Sequence, residues 1–238
     1  MRIIIRLLLF VFIFSSCSTQ DQMVNDLLSK SLSAHGGFGN YSNLKDLHYR
    51  KTTYTVNTSN TITDTLKQTI SHPRYDVTYL QYSSKGSDIA VFHSDNEFTL
   101  NIDGKLIRDN GLIEEHRSMV DGAKFVFFQP FKLKDQAAQI SYQSIRELAL
   151  PGGAKNVHHL QVTYKESSDV WHFFIDTNSY QLVANAVKHN DKMSLITNDA
   201  MQWYKGLLVH QKRTSYLSNN DFILLHPQAF YDYEMIKE

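Results

Sequence analysis

Two hydrophobic periods take turns along this chain. Met23, Val24, Leu27, Leu28 and Leu32 recur at helical spacing, so residues 22–34 read as an amphipathic helix. Residues 18–21 supply N-cap candidates before it. Gly36 and Gly37 supply its stop, because glycine accepts the left-handed cap conformation. His35 then falls in the last turn, at the negative end of the helix dipole. From Asp46 to Asp109 the period drops to two, giving strands over 47–56, 62–71, 74–82, 88–93, 97–103 and 105–108. The clearest alternation sets Phe98, Leu100 and Ile102 against Glu97, Thr99, Asn101 and Asp103, as expected where one sheet face is buried and the other wet. Asp103-Gly104 is a primed-turn hairpin signal. Pro73 is expected between strands, where its missing donor does no harm.

Helical spacing returns over 113–128, where Met119, Val120, Ala123, Val126 and Phe127 share one side. Gly122 weakens this helix by about 1 kcal/mol relative to alanine, and Pro130 ends it. Strand patterns follow over 139–146, 155–164, 170–176, 181–188, 200–204, 207–216 and 228–236. The turns between them are marked by Pro151-Gly152-Gly153, Asp176-Thr177-Asn178-Ser179 and Lys205-Gly206. There is no internal repeat and no linker. About thirteen strands and two helices therefore form one α+β domain over 22–238, mainly antiparallel β. A sheet that wide has to curl or split. If it curls into a half-barrel, its concave side needs a cover, and the two helices are the available lids.

The first residues obey neither period. Arg2 and Arg6 precede an unbroken apolar run from Leu7 to Phe14, and Ser15-Ser16 then precede Cys17, the one cysteine in the chain. A spanning helix needs about 20 apolar residues, so the order of charge, apolar run and small residues fits a secretory signal. The small residue before Cys17 resembles the lipobox of bacterial lipoproteins, although Phe14 stands where leucine is more usual. That resemblance implies removal of residues 1–16, acylation of Cys17, and residues 17–21 as a short tether. The protein is then expected to sit in the cell envelope, anchored to a membrane by its lipid. Ser18 offers no acidic retention signal, so the outer membrane and its periplasmic face are expected.

Composition changes the picture in two places. The 24 basic residues balance 24 acidic ones, and removing the signal takes two arginines with it, which argues against a nucleic-acid partner. With Cys17 committed to lipid no disulfide is available, so the hydrophobic core has to hold the fold alone. The 12% aromatic content, mostly Phe and Tyr, supports the β-rich reading.

The usual chemical signatures are missing. The sequence has no His-Glu-x-x-His, no thiolate set for zinc, no Gly-x-Ser-x-Gly elbow and no phosphate loop. His158 and His159 are adjacent on a predicted strand and point to opposite faces, so they cannot share an ion. No cofactor or metal is expected. Residues 125–131 hold four phenylalanines, Phe125, Phe127, Phe128 and Phe131. They read first as core, and alternatively as a hydrophobic plug or ligand lining. Trp203, first a core or rim anchor, joins them as candidate lining.

The lipobox-like start, a helix ending in Ala34-His35-Gly36-Gly37 and a strand-rich body together resemble a family of uncharacterised bacterial lipoproteins. Residues 128–135 look like its proline-centred segment. Phe174-Ile175-Asp176-Thr177, with Leu182-Val183, looks like its later strand, turn and strand. That family is similar to the lipoprotein carriers LolA and LolB, whose half-open barrel covered by helices holds acyl chains. The resemblance spans most of 22–236 and brings no catalytic residues. It implies a non-enzymatic, lipid-anchored envelope protein that binds a lipid or acyl chain. Cys17 favours a resident receiver over a shuttle. An interaction scaffold for another envelope protein stays open. So does an envelope hydrolase, since a triad is recognised in space rather than in sequence.

Overall fold

The computed structural model describes residues 20–165 and 167–237. The expected signal and Cys17 lie outside the described residues. Helical residues 20–34 form α1. Its end follows from local chemistry: Gly36 and Gly37 take φ of 102° and 86°, and Gly37 N–H donates to Leu32 O at 2.8 Å. His35 does sit at this helix end, but buried and neutral rather than as a charge facing the dipole. Its Nδ1–H donates to Ser31 O at 2.8 Å, and Nε2 accepts from Leu182 N–H at 3.4 Å.

A five-residue helix α2 (Phe38–Ser42) leads into the strands β1 (Lys45–Val56), β2 (Ile62–Arg74), β3 (Val77–Ser84), β4 (Ser87–His93), β5 (Phe98–Ile102) and β6 (Lys105–Leu106). Then come α3 (Asn110–Phe127), a 3-10 turn over Phe131–Lys134, and β7 (Ala138–Leu148), β8 (Lys155–Tyr164) and β9 (Val170–Asp176). They are followed by β10 (Leu182–His189), β11 (Lys192–Tyr204), β12 (Leu207–Ser218) and β13 (Leu224–Met235).

All 13 strands join one antiparallel sheet in the order β6-β5-β4-β3-β2-β1-β13-β12-β11-β10-β9-β8-β7. The first strand therefore pairs with the last at the centre, from Tyr49↔Met235 to Thr55↔Ala229. The consecutive strands β6 and β7 end up at opposite edges. The chain between them has to cross one face, and α3 makes that crossing. Asp109 starts it by accepting a hydrogen bond from Leu112 N–H at 2.8 Å. Register shifts at Thr55/Val56, around Ala200 and at Ser215/Tyr216 mark bulges that help the sheet curl. The result is an open, curved half-barrel with helices on its concave face.

Two helices cover different halves of that face. Val120, Phe127 and Phe128 pack with Tyr49, Ile70, Leu80, Val91 and Leu100 of the N-terminal meander. Val24, Leu27 and Leu28 of α1 pack with Leu160, Val162, Phe173 and Ile175 of β8 and β9. The convex face carries a third cluster, in which Phe174, Ala184, Ala186, Met193 and Leu195 lie under Phe222 of the β12–β13 connection. Phe173 and Phe174 are neighbours on one strand and enter different clusters, so the sheet is buried on both sides here.

Several expectations need correction. Pro73 lies inside β2, at a bulge between Ser71 and Arg74 rather than between strands. β11 begins at Lys192, eight residues before the expected 200–204 strand. Its early residues lack polar alternation because Met193 and Leu195 meet the convex cluster while Ser194 and Ile196 face the helices. β13 begins at Leu224, not 228, and runs through Pro227 next to a register shift. The Asp103-Gly104 turn is as expected, with φ of 51° and 73°.

The end of α1 abuts the β11–β12 turn so closely that a Cβ on Gly36 would lie 2.0 Å from Gly206 O, whereas one on Gly37 would meet nothing within 4 Å. Gly36→Ala should therefore lose more than the roughly 1–3 kcal/mol of backbone strain expected at positive φ. Gly37→Ala should lose only that strain. Urea unfolding of the two variants checks the difference, and equal losses would contradict the contact.

Burial also makes the fold sensitive to acid. Desolvation lowers the His72 pKa to about 3, and lowers those of His35 and His210. His159 and His172 face each other with Nε2 and Nδ1 2.8 Å apart; burial, then neighbouring positive groups, brings both to about 4. These folded-state values lie below the unfolded histidine value of about 6.5. Their contribution to stability is thus full above pH 6.5 and is lost as pH falls towards 4. Each extra proton taken up by the unfolded chain adds a slope of about 1.4 kcal/mol per pH unit. Thermal unfolding between pH 7.5 and 4 should show Tm falling. Replacing His159 and His172 together with Asn should flatten that fall.

Candidate functional site

Where α3 crosses the sheet it does not seal it. A cavity of about 400 Å³ lies between the middle of the helix and strands β1, β2 and β9–β13. The helix contributes Ser118, Met119, Gly122, Ala123 and Val126, spaced so that one face of α3 looks into the space. Three of these five side chains are small, and that leaves the gap. A Cβ built on Gly122 meets nothing within 4 Å. Ser118 and Gly122 are exposed, so the cavity opens along their edge of the helix.

The walls are mixed. Met119, Val126, Trp171, Val187 and Ile196 supply apolar surface. Gln68, Ser215 and Tyr233, all buried, and Arg213, 1% exposed, form the inner polar part. Arg213 Nη2 donates to Asn185 Oδ1, while Nε and Nη1 have no hydrogen-bond partner among the described residues. Burial lowers the guanidinium pKa from its ordinary value. Lys51 points to the same space from β1, with Nζ 5.3 Å from the Tyr231 ring centre. Desolvation, then the nearby Arg213, lowers its amine to about 8. Among the described residues no carboxylate forms an ion pair with either cation. The lining serines have no hydrogen bond from histidine within the described residues; Ser194 bonds instead to Gln228 Oε1 at 3.2 Å. The arrangement offers apolar surface on one side and polar groups at the inner end.

Of the aromatic residues singled out in the sequence none is in the lining, and four of the five lie around this cavity. Phe127 stacks on Tyr49 at 4.2 Å and meets Tyr233 at 5.7 Å, so it backs the inner wall. Phe128 is fully buried between Tyr41 and His72. Phe131 stacks on Tyr41 at 4.8 Å. These three form a solid plug where α3 ends. Phe125 packs edge-on to Trp171 at 4.9 Å, behind a residue that does line the cavity. Trp203 is 63% exposed on β11 and lies away from the cavity. The structure thus brings four of the five close to the site and separates Trp203 from it.

Sequence reasoning missed Lys51, Gln68, Arg213 and Tyr233. A signal existed for Lys51, which follows Leu47 and Tyr49 at period two and so had to face inwards. Gly122 was noticed only as a weak point of the helix. Its use is the space it leaves.

No family model matches the chain, and no curated protein matches it in sequence. Solved structures do. A LolA superfamily protein from Nitrosomonas europaea superposes with a TM-score of 0.54 at 7% identity, over 90% of this chain and 93% of that one. A DUF1329 family protein from Desulfovibrio piger gives 0.50 at 9% identity, over 89% and 91%. Both likenesses run almost end to end and rest on backbone course, not on shared side chains. The open antiparallel half-barrel, crossed on its concave face by a helix, is a LolA-like fold.

Proposed function

We propose that this chain is a lipid-anchored protein of the cell envelope that holds a lipid or acyl chain in the cavity under α3, without catalysing a reaction on it. The cavity itself carries this reading. Its volume of about 400 Å³ falls in the roughly 300–1,000 Å³ range of small-molecule sites. Met119, Val126, Trp171, Val187 and Ile196 give it a continuous apolar wall, and it opens at one edge of the helix. The LolA-like fold supports the same reading, because the carriers it resembles hold acyl chains between sheet and helices. The anchor rests on the sequence alone, on the apolar run and small residues before Cys17. Phe127, Phe128 and Phe131 act as the fixed end of the lid, and Phe125 steadies Trp171 beside the ligand.

Filling the space tests the site without disturbing the core. Gly122→Leu adds a Cβ where nothing is met within 4 Å and points the rest of the side chain into the open space, and leucine is about 0.8 kcal/mol better than glycine in a helix. The variant should keep or raise Tm and should lose affinity for a fluorescent fatty-acid probe by about tenfold or more. Unchanged binding in a folded Gly122→Leu protein would place the probe elsewhere. Cys17→Ala tests the anchor: intact-mass analysis should lose the acylated species, and the protein should leave the membrane fraction. Membrane retention without Cys17 would end the lipoprotein reading.

A further inference from the structure

We infer that the cavity selects an anionic amphiphile, whose carboxylate or phosphate head meets Arg213 and Lys51 while its tail runs along Met119, Val126 and Trp171. This rests on the proposed binding of a lipid or acyl chain and adds the chemistry of its head. A cavity meant for hydrocarbon alone has no use for two inward cations, and each is costly to bury. Arg213 is held by neutral groups, the Asn185 amide and the Tyr233 hydroxyl, with Asp199 acting on it only through space, and its Nε and Nη1 make no hydrogen bond in a nearly solvent-free place. A buried guanidinium with no carboxylate in direct contact is an unfavourable arrangement in a protein interior. An oxyanion entering the cavity would supply the missing acceptors, since guanidinium groups match carboxylate and phosphate oxygens well.

Lys51 points the same way. It lies on the neighbouring side of the cavity and is raised in energy by Arg213, since like charges share a poorly solvated space. Within the described residues neither cation forms an ion pair, although other surface cations do, such as Arg50 with Glu234 at 2.8 Å and Lys132 with Asp135 at 2.7 Å. An anion between Arg213 and Lys51 would relieve both at once. Tyr233 and Ser215 hydroxyls and the Gln68 amide line the same region, so a head group there would have neutral polar neighbours. The exposed edge at Ser118 and Gly122 lets a tail enter or leave along the helix.

The test compares ligands of one chain length with different heads, and a head without a chain. The purified protein is titrated with palmitate, with 1-hexadecanol, with 1-palmitoyl lysophosphatidic acid and with inorganic phosphate, each by displacement of a neutral fluorescent hydrocarbon probe or by calorimetry. The inference expects palmitate or the lysophosphatidate to bind about tenfold or more tightly than hexadecanol. It expects inorganic phosphate alone to bind far more weakly than either. Arg213→Met should bring acid and alcohol within about twofold of each other, and an apolar replacement for a buried charge is generally tolerated by the fold. Lys51→Met should reduce the preference severalfold, and provides a second measure should the Arg213 variant fold poorly. Equal binding of acid and alcohol, or a preference that survives both substitutions, overturns the anionic head but leaves the cavity reading standing. Phosphate binding as tight as the amphiphiles overturns it in favour of a head-only anion site. Binding of none of the four, and of no neutral probe, overturns both.

Discussion

The ladder between β1 and β13 joins two meanders that would otherwise be separate sheets. Seven paired positions, from Tyr49↔Met235 to Thr55↔Ala229, put the first and last strands side by side in the middle. Once they are there, β6 and β7 can only be the outer edges, and the chain has to travel from one to the other. It does so as α3, across the concave face, because that face holds the apolar side chains a helix can bury. The cover over the half-barrel is thus a product of strand order. Its position would be the same whatever the cavity held.

The same helix does two different things along its length. Towards its end, Phe127 and Phe128 lock against Tyr49, Tyr41 and His72, with aromatic contacts on several sides. In its middle, Ser118, Gly122 and Ala123 stand back from the sheet and leave open space. A well-packed interior has few voids larger than a water molecule, so a cavity of this size next to so tight a plug is a local departure from the packing around it. The buried Arg213 falls in this loosely packed half, where hydroxyls and amides are the nearest polar groups.

Much of the fold was legible because most strands have one wet face. Phe98, Leu100 and Ile102 alternate with polar residues, and β5 was found where they predicted it. The early part of β11 was not legible for the opposite reason: Phe222 covers one of its faces and the α3 cavity lies on the other, so polarity does not alternate. The five-residue α2 is too short to show a period, yet it carries Tyr41 into the core. At the site, the phenylalanine cluster was legible as hydrophobic mass, but its division into plug and neighbour of the lining was not. Arg213 was hidden because β12 shifts register against β11 around Ala200, after which period two no longer says which side a residue faces. The strand order itself left no trace in local pattern, since the β1–β13 partners are separated by nearly the whole chain.

That separation matters while the protein is being made. β13 is made long after β1, Arg50 and Glu234 being 184 residues apart, so the N-terminal meander waits with the long edge of β1 unpaired. Exposed strand edges are ready templates for pairing with other chains, and contacts this distant in sequence form slowly. Arg50 and Glu234 meet only after all the strands between them have been made. A polypeptide stopped shortly after Ser218 would lose the seam between its two halves, where most sheets would lose a rim. In this architecture the twelve residues of β13 are the keystone, and quality control in the cell has to tolerate an open sheet until they arrive.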